Sequence, residues 1–261
     1  MRSVAAALTI CLANAAFAKA APQSNVLSTR EIYDVSLERT SGYLFTAHGR
    51  TVVETHSGCG ATHTLQRSLA DVTYQDGEPI RTDFVIETWE STDASTLRFH
   101  VRNTQSSNGT ESHNGVAKLA ADGSGQVTFT TKDKRFALPR GTMFPSAFAR
   151  AMLEAAQNGR DVESHTVFQG GGQSALVTAA VKIGRRTSGS HETAKDPAGL
   201  LKRGAVWPIL ISYFESNGEQ PSSEVAANLY GNGLLGSFSL VYPQFSLRAK
   251  LVRVERLRSS C

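Results

Sequence analysis

The sequence predicts a mainly β protein built from many antiparallel strands, with one helix packed against the sheet. Three observations support this class. Apolar and polar residues alternate with a period of two in many short segments, Asn-Gly and Asp-Gly dipeptides recur between segments, and one Ala-rich segment has helical spacing. These patterns alone leave three architectures open: a sandwich, a barrel or a large curved sheet.

Length and composition agree with one large folded domain. The chain has 261 residues, 40% hydrophobic content, 12 Phe and a formal net charge of +4. All-β domains often reach about 200–250 residues as one unit. The apolar content argues against disorder, and three cysteines are too few for a disulfide-rich miniature fold. No internal run of 18 apolar residues occurs, so no transmembrane helix is predicted in the mature chain.

The N-terminus has the pattern of a secretory signal peptide. Met1-Arg2 precedes an uncharged apolar stretch, which ends in Ala16-Phe17-Ala18. A short N-terminal core helix is the alternative. We expect cleavage between Ala18 and Lys19, although Ala20 forms a second possible site. The predicted organisation is therefore a signal peptide at 1–18, a flexible leader at 19–30 and a single all-β domain at 31–261, in the periplasm.

Alternation identifies several half-buried strands. The segments are Phe84–Trp89, Leu97–Arg102, Gln126–Thr130 and Leu247–Leu251. After Leu251 the apolar phase moves to Val252 and Val254, which predicts a β-bulge or a strand covered on both faces.

Turn dipeptides separate the strands. Asn-Gly and Asp-Gly supply the positive φ angles that tight hairpins require. They occur at Asp76-Gly77, Asn108-Gly109, Asn114-Gly115, Asp122-Gly123, Asn217-Gly218 and Asn232-Gly233. The triplet Gly170-Gly171-Gly172 predicts a further hairpin turn, because it lacks the Lys of a phosphate-binding loop.

Two segments interrupt the β pattern. Residues 145–158 predict a helix, with Pro145 at its start, Gly159 just beyond its end and an apolar face that suits core packing. Residues 184–204 are polar and without apolar period, which predicts a long loop that is either functional or mobile.

Signatures of catalysis and metal binding are weak. The chain has no G-x-S-x-G elbow, so a hydrolase of that type is not indicated. His56, Cys59 and His63 lie close in sequence, but zinc would need a fourth ligand, and surface histidines are the simpler interpretation. The sequence therefore predicts no catalytic residue, no metal and no cofactor.

Two of the three cysteines remain after export. Cys11 lies in the signal peptide, and Ile10 before it does not fit a lipoprotein signal. In an oxidising compartment, Cys59 and Cys261 most simply form a disulfide, and two free thiols are the alternative.

Basic residues gather near the C-terminus, at Arg248, Lys250, Arg253, Arg256 and Arg258. An exported protein meets little nucleic acid, so these residues are candidates for contact with an anionic lipid or glycan surface. The alternative is the solvated face of an amphipathic last strand.

Several phrases in a fixed order resemble the EipB-like envelope-integrity proteins of the alphaproteobacterial periplasm. They are Tyr33-Asp34-Val35-Ser36-Leu37, Gly49-Arg50-Thr51-Val52-Val53-Glu54, Gly58-Cys59 with Gln66-Arg67, Leu138-Pro139, Gly141-Thr142, Phe144-Pro145, Val167-Phe168 and the terminal Cys261. The resemblance covers nearly the whole mature chain. After Cys59 the chain departs from it, with Gly60-Ala61-Thr62-His63 where an acidic residue and an aromatic are usual.

The resemblance implies a β-spiral, an incomplete barrel of antiparallel strands around a helix, with an internal disulfide that maps to Cys59 and Cys261. It also implies a role in maintaining the cell envelope. Three functions follow as hypotheses: a non-enzymatic factor that binds an envelope protein or lipid, a periplasmic carrier of lipid or lipoprotein, and an enzyme that acts on the cell wall. An open apolar interior would favour cargo, and a filled one would favour a protein partner.

Overall fold

The computed structural model describes residues 26–258, apart from 42–43, 59, 76, 131–133, 190–191, 203 and 217. The predicted signal peptide, its cleavage site at Ala18 and Lys19, and both Cys59 and Cys261 lie outside the described residues.

Sixteen strands, one α-helix and one short 3-10 helix make up the described part of the chain. They are β1 (Thr29–Thr40), β2 (Leu44–Gly58), β3 (Ala61–Tyr74), β4 (Ile80–Ser91), β5 (Thr96–Gln105), β6 (Gly109–Leu119), β7 (Gly125–Phe129), β8 (Arg135–Leu138), β9 (Thr142–Met143), α1 (Pro145–Gln157), β10 (Val162–Phe168), the 3-10 helix (Gln173–Ala175), β11 (Leu176–Ile183), β12 (Thr187–Ser188), β13 (Ala205–Glu215), β14 (Ser223–Tyr230), β15 (Leu235–Val241) and β16 (Phe245–Arg256).

One continuous sheet contains all of the strands. Its order is β8-β7-β6-β5-β4-β3-β2-β1-β16-β15-β14-β13-β11-β10-β9, with β12 paired to β13 beside this path. Every pairing of strands is antiparallel except β9 with β10, which are parallel and connected through α1. The first and last long strands, β1 and β16, pair along their whole length and lie at the centre of the sheet. The mainly β prediction is confirmed.

Aromatic side chains bring the two ends of the sheet together. Phe168 of β10 packs edge-on against Phe99 of β5, with ring centroids 5.5 Å apart, and against Phe136 of β8 at 5.7 Å. Phe168 and the neighbouring Phe144 are fully buried. The sheet therefore curls into a nearly closed barrel whose seam is made by packed rings rather than by a strand ladder, as the resemblance implied.

The predicted helix forms at the expected place and lies on the inner side of the sheet. Phe148 and Met152 of α1 pack into a core cluster with the inward side chains of β10, β11, β13 and β14. The helix ends as predicted, with Gly159 at a φ of 70°. The N–H of Arg160 donates to the carbonyl of Ala155 at 2.9 Å, so the helix end is closed by its own turn.

The β-bulge predicted after Leu251 is confirmed. Leu251 pairs with Tyr33 and Arg253 pairs with Ile32, which leaves Val252 as the extra residue of β16. The bulge explains the change of phase, because Leu251 and Val254 are both fully buried although three positions separate them.

One predicted turn is wrong. Asn114-Gly115 lies inside β6, where Gly115 pairs with Phe99 and Phe129 on the neighbouring strands. A Cβ at this position would lie 2.6 Å from Cζ of Phe99 and 2.7 Å from the carbonyl oxygen of Thr128. The glycine provides room for a neighbouring ring instead of a turn.

Other turn predictions are correct where the structure describes them. Gly123 and Gly233 lie between consecutive strands, Gly109 is the first residue of β6 after a turn, and the three have positive φ angles of 75°, 87° and 79°. Gly170 and Gly171 also have positive φ and connect β10 to the 3-10 helix and β11. Asp76 and Asn217 lie outside the described residues.

The long polar segment 184–204 is exposed over residues 184–189, whereas part of its second half packs against the fold. Lys195 forms a bridge to Arg253 of β16, and Leu201 is 2% exposed in a core cluster beside Tyr230 and Val254. The carboxylate of Asp196 accepts hydrogen bonds from the N–H groups of Leu200 and Leu201, both at 2.8 Å. Among the described residues, no helix is long and apolar enough to cross a membrane.

Candidate functional site

The inner side of the sheet holds a buried carboxylate that fixes the helix. Glu90 of β4 is 2% exposed, and it accepts hydrogen bonds from the N–H groups of Ser146 at 2.7 Å and Ala147 at 3.0 Å. Burial raises the pKa of Glu90, while these bonds and Arg150, 3.9 Å away, oppose the rise. A strand side chain therefore caps α1, whose own N-cap residue provides no side-chain bond.

A second buried acid lies on β1. Burial raises the pKa of Glu31, and a hydrogen bond with Thr29 opposes that rise. Burial, together with the charges of Glu31 and Glu192, raises the pKa of Tyr33 well above its ordinary value, and its hydroxyl donates to the carbonyl of Leu235 at 3.1 Å. Glu31 and Glu90 shift in the same direction for the same reason.

The structure divides the basic residues near the C-terminus between two faces. Arg248 and Lys250 lie opposite Ser36 and Asp34 on the outer face of the sheet, and Arg253 joins them there. The bulge then shifts the phase. Arg256 lies opposite the buried Thr29, so it belongs to the inner face, where the end of the sheet leaves it exposed. Arg258 lies beyond the end of β16 and is also exposed.

Neighbouring strands add two arginines to the outer face. Arg30 of β1 donates to Glu54 at 2.7 Å, and Arg50 of β2 lies 2.7 Å from Asp34. Arg253 donates to Glu255 at 2.8 Å. In the part of the chain that the structure describes, no acidic side chain lies within ion-pair distance of Lys250 or Arg248. We call Arg30, Arg50, Arg248, Lys250 and Arg253 the outer basic face.

The two histidines considered as zinc ligands belong to an aromatic stack on the same outer side. His56 of β2 faces His63 of β3 with ring centroids 6.0 Å apart, and His63 stacks on Trp89 of β4 at 4.9 Å. His63 also lies 2.8 Å from a carboxylate oxygen of Glu87. Trp89 is 38% exposed, so the stack presents an aromatic side chain to solvent. Of the described residues, no group of three or more His, Cys, Asp or Glu is arranged to hold a metal ion.

Strands β2 and β16, which precede Cys59 and Cys261 in the chain, both end beside the first residues of β1. β2 and β16 pair with opposite edges of β1, and Thr29 lies between Thr55 and Arg256. Beyond these partners, the N–H of Ser57 donates to the hydroxyl of Ser28 at 3.0 Å, and the N–H of Leu257 donates to the carbonyl of Ser28 at 2.8 Å. Ser57, two residues before Cys59, and Leu257, four residues before Cys261, are therefore both hydrogen-bonded to Ser28.

Sequence reasoning missed both Glu90 and Trp89, although the alternation in β4 contains a signal for each. Glu90 continues the inward phase of Phe84 and Ile86, which indicates a buried acid, and Trp89 lies in the polar phase, which indicates an exposed aromatic. The partner of Glu90 is 56 residues away, so no local pattern could identify it.

Comparisons with known proteins agree over nearly the whole chain. A family model described as EipB-like matches residues 20–258. The chain is 27% identical over 246 residues to the cell envelope integrity protein EipB of Brucella abortus (strain 2308), and the alignment covers 91% of this chain and 87% of that protein. A crystal structure titled as a beta-barrel-like protein of a domain of unknown function, also from Brucella abortus, matches with a TM-score of 0.81 and 25% identity, over 90% of this chain and 100% of the other.

The family model, the relative and the solved structure all span the same β-rich region and its single helix. The ordered phrases in the sequence, the curled sheet and the comparisons thus give one answer, and the chain belongs to the EipB-like family.

Proposed function

We propose that this protein supports the integrity of the cell envelope from the periplasm, and that it acts by binding an envelope protein rather than by catalysis. The name of the Brucella relative supports the envelope role, because the alignment extends over most of both chains. The signal-peptide pattern at residues 1–18 supports the periplasmic location.

The filled interior is the observation that carries the binding mode. Helix α1 and three clusters of buried side chains occupy the inner side of the sheet, and Glu90 ties the helix to β4 across that interior. A large acyl cargo would have to displace this packed helix. We therefore place recognition of the partner on the outer side of the sheet. The filled interior supports a protein partner better than it supports a carrier of lipid or lipoprotein.

The outer side has the composition of a protein-binding surface. Trp89 is exposed and stacks on His63. Trp and Arg are enriched among the residues that dominate binding energy at interfaces. The outer basic face lies on β16, β1 and β2, and Trp89 lies two strands further along the same side of the sheet, on β4. Together they fit an envelope protein with an acidic, partly apolar surface.

A complementation experiment tests this proposal. A strain without this gene is expected to lose viability in a membrane-damaging detergent, and the wild-type gene is expected to restore it. We expect R248E/K250E and W89A to fail to restore viability at equal protein level. The matched control is K134E/R135E, which reverses two exposed charges at the start of β8, four strands from Trp89 in the sheet.

Photo-crosslinking identifies the class of partner in the same strains. A photoreactive residue at position 89 should capture a protein in wild-type cells, and R248E/K250E should abolish that product. Full viability of the strain without the gene would overturn the envelope role. Capture of lipid alone, or full activity of the surface variants, would overturn the protein-binding mode.

A further inference from the structure

A cleft lies at the end of the barrel where helix α1 stops. Its volume is about 730 Å³, and it is lined by the last turn of α1, the segment after β11, the start of β13 and the turn between β14 and β15. Ala156, Ile183 and Trp207 give it an apolar floor, and each of these residues is almost fully buried. Pockets for small molecules usually measure about 300–1,000 Å³ and combine such apolar walls with a few polar groups.

Backbone hydrogen bonds hold the walls of the cleft in place. The N–H of Ile183 donates to the carbonyl of Asp161 at 2.7 Å, and the N–H of Gly184 donates to the carbonyl of Pro208 at 2.7 Å. On the opposite wall, the N–H of Gly231 donates to the carbonyl of Ala205 at 2.8 Å. The cleft is therefore formed before any ligand arrives, which lowers the entropy cost of binding.

The rim of the cleft carries uncompensated positive charge. Arg160, Arg185 and Arg186 all line it. Arg160 is paired with Glu163 at 3.0 Å. Within the described residues, no acidic side chain lies within ion-pair distance of Arg185 or Arg186, and both are exposed. Asp161 is the one acidic residue of the lining, so the two unpaired arginines outnumber it.

The helix end does not cancel this charge. A helix C-terminus normally presents free carbonyl groups, which repel anions. Here the carbonyls of Ala155 and Ala156 accept hydrogen bonds from the N–H groups of Arg160 at 2.9 Å and Gly159 at 3.3 Å. These acceptors are occupied, and the arginine side chains determine the charge that a ligand meets.

We propose that this cleft binds an anionic amphiphile, in which a carboxylate or phosphate group is attached to an apolar chain or ring. The anionic group would be held by Arg185 and Arg186, since guanidinium groups bind both kinds of anion in bidentate fashion. The apolar part would lie on Trp207 and Ile183. The site is independent of the outer side of the sheet, so it adds a small-molecule ligand to the proposed protein-binding role.

Tryptophan fluorescence tests this proposal directly. The chain has two tryptophans, so W89F leaves Trp207, on the floor of the cleft, as the single reporter. Laurate and dodecyl phosphate, below the concentrations at which they form micelles, are expected to change its emission in a saturable manner. Inorganic phosphate, dodecyl maltoside and dodecyltrimethylammonium separate the contributions of the charge and the chain.

Charge reversal provides the second arm. In the W89F background, R185E/R186E is expected to weaken binding of both anionic amphiphiles roughly tenfold or more, because two charge-assisted contacts are replaced by repulsion. K118E/R135E changes the net charge equally on distant strands and should bind as the W89F parent does. Melting temperatures verify that both variants are folded.

Several results would overturn the proposal. Equal affinity of the W89F parent and R185E/R186E would show that the two arginines do not bind the ligand. Equal binding of dodecyl phosphate, dodecyl maltoside and dodecyltrimethylammonium would show that the cleft does not select for negative charge. If inorganic phosphate bound as tightly as dodecyl phosphate, the apolar chain would contribute nothing to binding. No response of Trp207 to either anionic amphiphile would remove the site, while the complementation result for the outer side would stand separately.

Discussion

The carboxylate of Glu90 accepts a hydrogen bond from the backbone N–H of Ser146 at 2.7 Å, and this contact joins two distant parts of the fold. Glu90 lies on β4, in the half of the sheet made by the first strands, whereas α1 packs on strands from the second half. One buried side chain thus anchors the helix to the opposite wall of the barrel. Removal of the Glu90 side chain should therefore lower the stability of the whole domain.

Removing this anchor should strongly destabilise the protein. Glu90→Ala leaves two N–H groups at the start of α1 without their acceptor, which should lower the free energy of unfolding by on the order of 3 kcal/mol. Glu90→Gln keeps the size and one acceptor oxygen, so it should cost less. Urea unfolding monitored by circular dichroism measures both. An alanine variant as stable as the glutamine variant would show that the hydrogen bonds contribute little.

The pH dependence of the stability of wild type and Glu90→Gln reports the ionisation of Glu90. Burial raises its pKa in the folded state above the ordinary value of 4.5, so the folded protein binds this proton more tightly than the unfolded chain does. The stability that Glu90 contributes should therefore increase as the pH falls from the raised pKa towards 4.5, and it is lost as the pH rises through that window. Glu31 shifts likewise but is present in both proteins, so it cancels from the comparison of wild type with E90Q.

Unfolding of wild type and E90Q at pH 7 and pH 5 measures this dependence. We expect the wild type to gain stability relative to E90Q at the lower pH. A constant difference between the two proteins would mean that the pKa of Glu90 is the same in the folded and unfolded states.

The aromatic seam should be essential for the closed shape. Phe168→Ala removes the ring that contacts both Phe99 and Phe136, and truncation of a buried Phe typically costs about 3–5 kcal/mol. Phe45→Ala makes the same deletion at a side chain that is 70% exposed, so it serves as a matched control with little effect. Hydrogen exchange should also accelerate in β8 and β10 of the Phe168 variant. Equal stabilities of the two variants would contradict the role of the seam.

The close approach at Gly115 predicts that a single methyl group is harmful there. Gly115→Ala places a Cβ against the ring of Phe99 and the backbone of Thr128, and such overpacking should cost about 1–3 kcal/mol. Gly172→Ala is the control, because its nearest neighbour is 3.9 Å from the added atom. Thermal denaturation compares the two. If the Gly115 variant melts at the temperature of the Gly172 variant, the strands around β6 can move apart at little cost.

The predicted disulfide between Cys59 and Cys261 remains a proposal, supported by the described residues beside each cysteine. Oxidised protein should be two hydrogens lighter than reduced protein, with the two cysteine peptides linked. A loop of about 200 residues gives roughly 5 kcal/mol in the chain-entropy model, so Cys59→Ser should lower the melting temperature clearly. Free thiols at both positions in protein isolated from periplasm would rule out the bridge.

Local patterns in the sequence were sufficient for the class of fold and for several of its elements. Alternation placed the strands around Leu97 and Leu247, the phase change after Leu251 indicated the bulge, and helical spacing placed α1 within one residue of its observed end. These features depend on residues a few positions apart in the chain, so the order of the residues is enough to predict them. Asn114-Gly115 shows the limit, because the same dipeptide forms a turn in one context and clears space for a ring in another.

By itself, the sequence determined that this chain is an antiparallel β protein with one helix, and the ordered phrases identified its family; it also predicts a secretion signal. Only the tertiary structure decided how the sheet closes, which acid caps the helix, how the bulge divides the basic residues between two faces, and that Arg185 and Arg186 border a cleft floored by Trp207. Each of these depends on contacts between residues far apart in the chain. The period-two pattern of apolar residues shows which face of a strand a side chain lies on. The curl of the sheet determines which distant residues that face contacts.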